Sequence, residues 1–304
     1  MAKNFKELLS KVSECSKKTL AVACAQDQAV LEAVKEANER GIATSILVGD
    51  EAKIREIAAS INMDLSDYKI INVVDNVEAS LAAVKLVHDG DADMYLKGLL
   101  DTKTFLKSVL DKEVGLRTDK TLSHVCVFEC EGIDRLLFLT DVAFLPYPTL
   151  EDKVAIINNT VEIAHACGIE CPKVAGMAAV EVVNPKMPET VEAVELSKMQ
   201  DEGKITGCIV DGPLSMDCAL YPHACEEKGC LDRKVPGDAD ILLFPDIQAG
   251  NLVYKTFVHL VPSKNGNILT GTKAPVILTS RADSCEVKVN SIALAAVVAE
   301  ELNK

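Results

Sequence analysis

Several apolar runs in this chain end on polar or charged residues set beside Gly or Pro. Lys97-Gly98 leads into Asp101, Thr102, Lys103 and Thr104, and CIV is followed by Asp211-Gly212-Pro213-Leu214-Ser215. Pro245-Asp246 precedes Gly250-Asn251 and Tyr254-Lys255, and PVILT precedes Ser280-Arg281-Ala282-Asp283. In open parallel sheets ligands bind outside the carboxyl ends of the strands, so chemistry is expected at these points. Asp and Ser there also serve as helix N-caps, and Gly and Pro as turn formers. That plainer reading accounts less readily for Lys255 and Arg281. Ser280-Arg281 opens a predicted helix, whose free N–H groups and positive dipole end favour an anion. An Arg fork adds bidentate recognition of phosphate oxygens. Gly115-Leu116-Arg117-Thr118 is either a turn with a solvated Arg or a second anion contact, and His124 is either a strand-end His bonded to backbone or a group facing ligand.

Other chemistries find little support. No GxGxxG follows the first strand and no GxxxxGK[ST] occurs, so the dinucleotide fingerprint and the P-loop are both missing. His88, His124, His165, His223 and His259 are scattered, and neither C-x-x-C nor H-E-x-x-H is present, so no metal site is expected. With 32 Lys and Arg against 46 Asp and Glu, the net charge of −14 leaves no basic face for a nucleic-acid backbone or an anionic membrane. Aromatics at 4% and no Trp argue against a stacking platform. No stretch approaches the ~20 apolar residues of a membrane span, and the polar first segment lacks a signal-peptide core, so a cytoplasmic protein is expected. The 11 Cys sit singly in apolar runs or on helix patterns, as reduced, buried small hydrophobes do.

The elements that must position these residues alternate almost throughout. Apolar β-branched runs at 19–25, 42–49, 69–74 and 92–98 are separated by helix-period segments, the first capped by Asp27 and closed at Gly41. TLSHVCVFEC (121–130) and RLLFLTDV (135–142), joined by the short EGID, predict an antiparallel hairpin. Pro146 and Pro148 stop the strand, and a second α/β series begins with a helix around 151–167. It continues with a helix from Ser215 to Lys228, a last strand at 274–280 and a final helix from about Ser284 to Leu302. The expectation is therefore two doubly wound three-layer α/β domains with a cleft between them. The first covers 1–143 and is completed by the helix at 284–304, and the second covers 144–283.

The motifs KGLLDT, GLRTDKTLSHVCVFE, AVEVVNPKMPET, DGPLSMDCA, PDIQAGNLVYK and APVILTSRADSCEVKVNSIALA, in this order, resemble the phosphate acetyl/butyryltransferase family, and within it the butyryl branch. The resemblance spans nearly the whole chain. It implies a fold like the isocitrate and isopropylmalate dehydrogenases, an active site between two α/β domains, and a homodimer or higher homo-oligomer. It also implies transfer of an acyl group between CoA and phosphate, with acyl-CoA, phosphate and acyl phosphate as the small-molecule partners and no permanently bound cofactor. By the same resemblance Ser280 bonds the CoA thiol and Arg281 holds the phosphoryl or acyl group. The family's base falls by gap-free count on Val287, which cannot titrate. Asp283 is the nearest substitute, with Glu286 behind it. The acetyl branch has an Arg where this chain has Lys107, which keeps the charge and loses the fork. Lys97, Thr102 and Ser123 are expected to line the phosphate side. Asp246, Asn251 and Lys255 match the family's PD…GN…YK stretch, in a structural or a ligand role.

The expected mechanism is direct attack by the CoA thiolate, both substrates being held at once, because proximity supplies much of the acceleration. Cys285, close to Ser280 in sequence, suggests a thioester route as the lesser possibility. Three other readings stand beside the butyryl one: the same chemistry on acetyl groups, a non-catalytic protein that binds CoA or acyl phosphate, and a nicotinamide-dependent dehydrogenase of the related fold. Acyl-chain preference depends on pocket side chains that the sequence does not name, and one methylene there is worth only about 1 to 3 kcal/mol.

Overall fold

The structure, a computed structural model, describes residues 2–279 and 283–302. The chain begins α1 (Phe5–Val12), β1 (Lys18–Ala23), α2 (Gln28–Glu39), β2 (Ala43–Gly49), α3 (Glu51–Ser60), β3 (Lys69–Asn72), α4 (Asn76–His88), β4 (Met94–Lys97) and α5 (Thr102–Val109). It continues β5 (Ser123–Cys130), β6 (Leu136–Thr140), α6 (Leu150–Ala166), β7 (Lys173–Met177), α7 (Pro188–Asp201), β8 (Ile209–Leu214), α8 (Met216–Leu220), α9 (Pro222–Glu227), β9 (Ile241–Leu243) and α10 (Ile247–Leu260). β10 (Ser263–Thr270), β11 (Val276–Ile277) and α11 (Cys285–Leu302) close it. This is the α/β class expected from the alternation of apolar runs and helix-period segments.

Contacts divide the chain into two compact units, Phe5–Lys120 with Gly266–Lys304, and Met1–Asn4 with Thr121–Asn265. In the first, the strand order is β3-β2-β1-β4-β11-β10. The pairs from β3 to β11 are parallel, and β10 runs antiparallel to β11. In the second, the order is β5-β6-β9-β7-β8, with β5 antiparallel to β6 and the rest parallel. The β5–β6 hairpin, assigned from sequence to the first series, groups here with the later strands because β6 pairs with β9.

The apolar runs become strands because both faces are covered: Leu20, Ala21, Val22 and Ala23 of β1 are fully buried, as are Leu136 to Leu139 of β6. Helix starts are set by side chains. Asp27 accepts from the Val30 N–H, Asp75 from those of Val77 and Glu78, and Thr149 with Asp152 forms a capping box on α6. Tyr95 carries the most weight near the first unit's functional edge. Its ring stacks on Phe105 at 4.6 Å, and its hydroxyl lies 2.9 Å from both the Ser80 carbonyl and the Ser108 hydroxyl. One buried side chain thereby ties β4 to α4 and α5.

Two elements depart from the sequence reading. The single helix expected over 215–228 is two short ones, because Pro222 lacks the N–H that would continue α8 and instead starts α9. β10 was not anticipated, since SKNGNILT opens on polar residues. Its pairing with β11 and the bond from the Asn267 N–H to the Ser291 hydroxyl hold it in place. Among the described residues no helix is long and apolar enough to cross a membrane.

Candidate active site

Lys97 ends β4 opposite Ala23, the last residue of β1, and is buried. The next residue must be Gly: a Cβ on Gly98 would lie 2.3 Å from the Cys24 carbonyl oxygen and 2.4 Å from that of Ala23. The Gly98 and Leu99 N–H groups donate to those same carbonyls at 2.8 Å. Cys24 itself adopts φ +52, in the left-handed region, as the chain turns out of β1. Burial pushes its thiol up to about 11, the Asp75 charge adds to this, and the Lys97 ammonium pulls the other way. Lys97 is thus a buried amine at the carboxyl edge of the sheet.

Thr102 starts α5 just beyond that edge, and Asp101 caps the helix, accepting from the Thr104 N–H at 2.9 Å and the Thr104 hydroxyl at 2.7 Å. Thr102 and Lys107 border one open hollow of about 700 Å³, together with Lys103, Leu106 and Leu110. The structure thus brings two of the expected binding residues together beside two aliphatic side chains. Arg117 stands elsewhere. Its backbone bridges Thr272, ahead of β11, and so sits toward the amino edge of the sheet, away from the end that carries Lys97.

β11 runs parallel to β4, with Val276 opposite Tyr95 and Ile277 opposite Leu96. The chain leaving β11 through Leu278 and Thr279 therefore emerges on the edge where β4 presents Lys97. Ser280 and Arg281, expected next, lie outside the described residues. Asp283 is half-buried, and its carbonyl accepts from the Lys288 ammonium at 2.5 Å; Lys288 is 3% exposed. Glu286 is exposed in the first turn of α11. Cys285 is turned to α2. Its thiol donates to Glu36 Oε2 of α2 at 3.1 Å, and burial, then the Glu36 bond and charge, push its pKa up to about 12.

In the other unit, a residue the sequence reading passed over, Asp141, bonds the His124 backbone, and the turn it begins meets Gly250 and Asn251. Asp141 follows β6 and is buried. Its carboxylate accepts from the backbone N–H groups of His124 (3.0 Å), Ala143 and Phe144 (2.8 Å each). The Asn251 amide donates to the Val142 carbonyl at 2.9 Å, and a Cβ on Gly250 would lie 2.3 Å from the Asp141 carbonyl oxygen. The first turn of α10 thus rests directly on this turn. Asp246 caps α10 through the Ala249 N–H at 2.9 Å, and the Ser123 hydroxyl accepts from the Asn159 amide at 3.1 Å. Lys255, exposed one turn further on, lies 4.9 Å above the Tyr254 ring. Thr140-Asp141 at the end of an apolar strand is the same kind of signal as the strand ends singled out above.

Asp211, expected past the end of an apolar run, lies inside β8 and is also internally paired. Arg233, which drew no attention in the sequence, holds Asp211 with both arms of its fork, at 3.1 and 2.6 Å, and donates to the Glu181 carbonyl at 2.8 Å. Beside it the Ser215 hydroxyl bonds Glu181 and lies 2.5 Å from Asp217, and Lys228 joins the two carboxylates at 2.9 Å each.

Comparison with known proteins gives a consistent set of likenesses. A family profile described as phosphate acetyl/butaryl transferase matches residues 4–80 and 73–296. A phosphate butyryltransferase of Clostridium beijerinckii is 59% identical over 98% of this chain and 99% of its own length. A phosphate acetyltransferase of Thermotoga maritima is 43% identical over 97% of this chain and 100% of its own length. Among solved structures, a branched-chain phosphotransacylase from Enterococcus faecalis superposes with a TM-score of 0.81 at 33% identity, covering 93% of this chain and 99% of that one.

Proposed function

The chain belongs to the phosphate acetyl/butaryl transferase family, and from that premise we propose that it moves a butyryl group between CoA and phosphate: butyryl-CoA + phosphate = butyryl phosphate + CoA. The observation that carries the site assignment is the parallel register of β11 beside β4. It directs the segment leading to Ser280 and Arg281 toward the edge where Lys97 is buried. Near-full-length identity of 59% to a butyryl enzyme, against 43% to an acetyl enzyme, supports the butyryl substrate.

Starting from acyl phosphate and CoA, the CoA thiol must lose a proton, since an ordinary thiol ionises near ~8.5. Asp283 takes that proton and the Ser280 hydroxyl orients the sulfur. The thiolate attacks the acyl carbonyl, negative charge develops on the carbonyl oxygen, and the bond to phosphate breaks. Arg281 and Lys97 stabilise the departing phosphate and the oxyanion. In the other direction phosphate attacks the thioester and the proton returns to the CoA sulfur. Thr102 and Lys107 contact substrate along α5. Lys255 and His124 are kept as candidate substrate contacts, whereas Arg117, set toward the amino edge of its sheet, takes no part in this step. Ser123, Asp246 and Asn251 act by positioning, since each side chain bonds a neighbouring element. The reaction needs no permanently bound cofactor, and we take the working protein to be a cytoplasmic homo-oligomer.

The test is phosphate-dependent release of CoA from butyryl-CoA, with acetyl-CoA and a branched acyl-CoA alongside. A higher kcat/KM on butyryl-CoA supports this reading. A higher value on acetyl-CoA transfers the assignment to the acetyl branch, and no phosphate-dependent release with any acyl-CoA overturns the enzyme assignment.

A further inference from the structure

Behind the Arg233–Asp211 pair lies a group of side chains that acyl transfer does not use. Cys218, Cys225 and Cys230 are all buried, the most exposed at 8%. Their sulfurs lie within 4.8 Å of one another, and those of Cys218 and Cys230 are 3.6 Å apart. The chain builds this convergence by a local device. Pro222 ends the run of α8 and starts α9 in a new direction, which carries Cys225 back until its thiol is 3.1 Å from the Cys218 carbonyl. Gly229, at φ +68, then turns the chain out of α9, and the Cys230 N–H closes on the Cys225 carbonyl at 2.8 Å. Thiols separated by seven and five positions in sequence are thereby gathered, with no C-x-x-C to announce them.

We propose that Cys218, Cys225 and Cys230 form a thiolate site for a soft divalent cation of the zinc class. Tetrahedral coordination with metal–sulfur bonds of about 2.3 Å sets sulfur–sulfur edges near ~3.8 Å; the 3.6 Å between the Cys218 and Cys230 sulfurs is close to that, with the third sulfur within 4.8 Å of both. Binding releases the thiol protons, M²⁺ + 3 RSH giving M(SR)₃⁻ + 3 H⁺. The resulting negative charge has cations beside it: Arg233 is within electrostatic range of Cys225 and Cys230, and Lys228 of Cys218. A fourth donor is at hand on the Cys218 side, where carboxylate oxygens of Asp217 and Glu181 lie within 4.8 Å of its sulfur. Zinc, which accepts mixed sulfur and oxygen ligands and has no redox chemistry, suits that donor set. A bound ion would fasten α8, α9 and the segment that supplies Arg233 to one another, beside the strand that carries Asp211.

The experiment uses the full-length protein, stripped with a chelator under reducing conditions, then dialysed against zinc in slight excess over chains and finally against zinc-free buffer. The expected result is one zinc per chain, an X-ray absorption spectrum fitted by three sulfurs at about 2.3 Å, and a higher Tm than the stripped protein. Cys225→Ser should weaken binding at least tenfold, while Cys208→Ser, at a buried thiol outside the cluster, should leave it unchanged. Less than one zinc per chain, a ligand shell of nitrogen and oxygen, or equal binding by Cys225→Ser would each overturn the proposal. Should Cys225→Ser fail to fold, the stoichiometry and sulfur count of the unaltered protein decide the matter.

Discussion

The buried ammonium of Lys288 donates to the backbone carbonyl of Asp283, 2.5 Å away, across the first turn of α11. A lysine seldom sits fully inside a protein unless it is paired, so this bond holds one end of the segment that follows Ser280 and Arg281. Lys288→Met removes it at nearly constant volume. The variant should lose about 1 to 3 kcal/mol of stability and about tenfold in kcat, with KM for phosphate little changed. Urea titration and initial rates check both, and an unaltered kcat would show that Asp283 needs no such anchor.

Cys285 should be dispensable. Its thiol, pushed up to about 12 by burial and by Glu36, is protonated at neutral pH and points to α2. Cys285→Ala is expected to keep at least half the activity and to leave intersecting initial-rate patterns for the two substrates. A drop beyond tenfold, or parallel patterns, would reinstate a thioester route.

Asp141 collects backbone N–H groups from β5 and from the turn after β6 that α10 rests on. Asp141→Ala leaves those donors without a partner, at about 1 to 3 kcal/mol for each one that stays buried. A loss of roughly 3 kcal/mol or more is expected in chemical denaturation. Asp141→Asn, which keeps an acceptor oxygen, should lose less. Equal losses in the two variants would mean that the carboxylate is not what fixes the turn.

Acid should weaken the Asp217 network specifically. The Ser215 hydroxyl, then Lys228, hold the Asp217 carboxyl down at about 2; for Glu181, burial pushes the pKa up, and the same two partners outweigh it. A carboxyl depressed on folding contributes stability above its unfolded value, near ~4, and loses that contribution as pH falls toward its folded value. Asp217 is half-exposed, so the contribution is modest. The stability difference between the parent protein and Asp217→Asn should hold from pH 7 to 5 and shrink between pH 4 and 2. A difference that stays constant with pH would contradict the assignment.

Much of this arrangement could be read in the chain before any coordinates. Buried parallel strands announce themselves as unbroken apolar runs, and Asp27 declares a helix start by its position alone. Asp101 and Asp246 turned out to be N-caps as well, the plainer reading of their place at strand ends. Contacts made at long range were not legible. Arg233 finds Asp211 across 22 positions, Asn251 reaches Val142 across 109, and the cysteine cluster assembles through a break at Pro222 that a helical pattern conceals. β10 was hidden because its first residues are polar. Its place depends on neighbours that only the fold supplies.

The most direct test of the central claim is phosphate-dependent cleavage of butyryl-CoA by the parent protein and by Arg281→Ala, measured side by side with a thiol reagent. Loss of a preorganised anion donor of about 3 to 4 kcal/mol should lower turnover by on the order of a hundredfold or more, with the folded state intact by circular dichroism. Equal turnover in the two proteins would contradict the account, because the anion would then be held without Arg281.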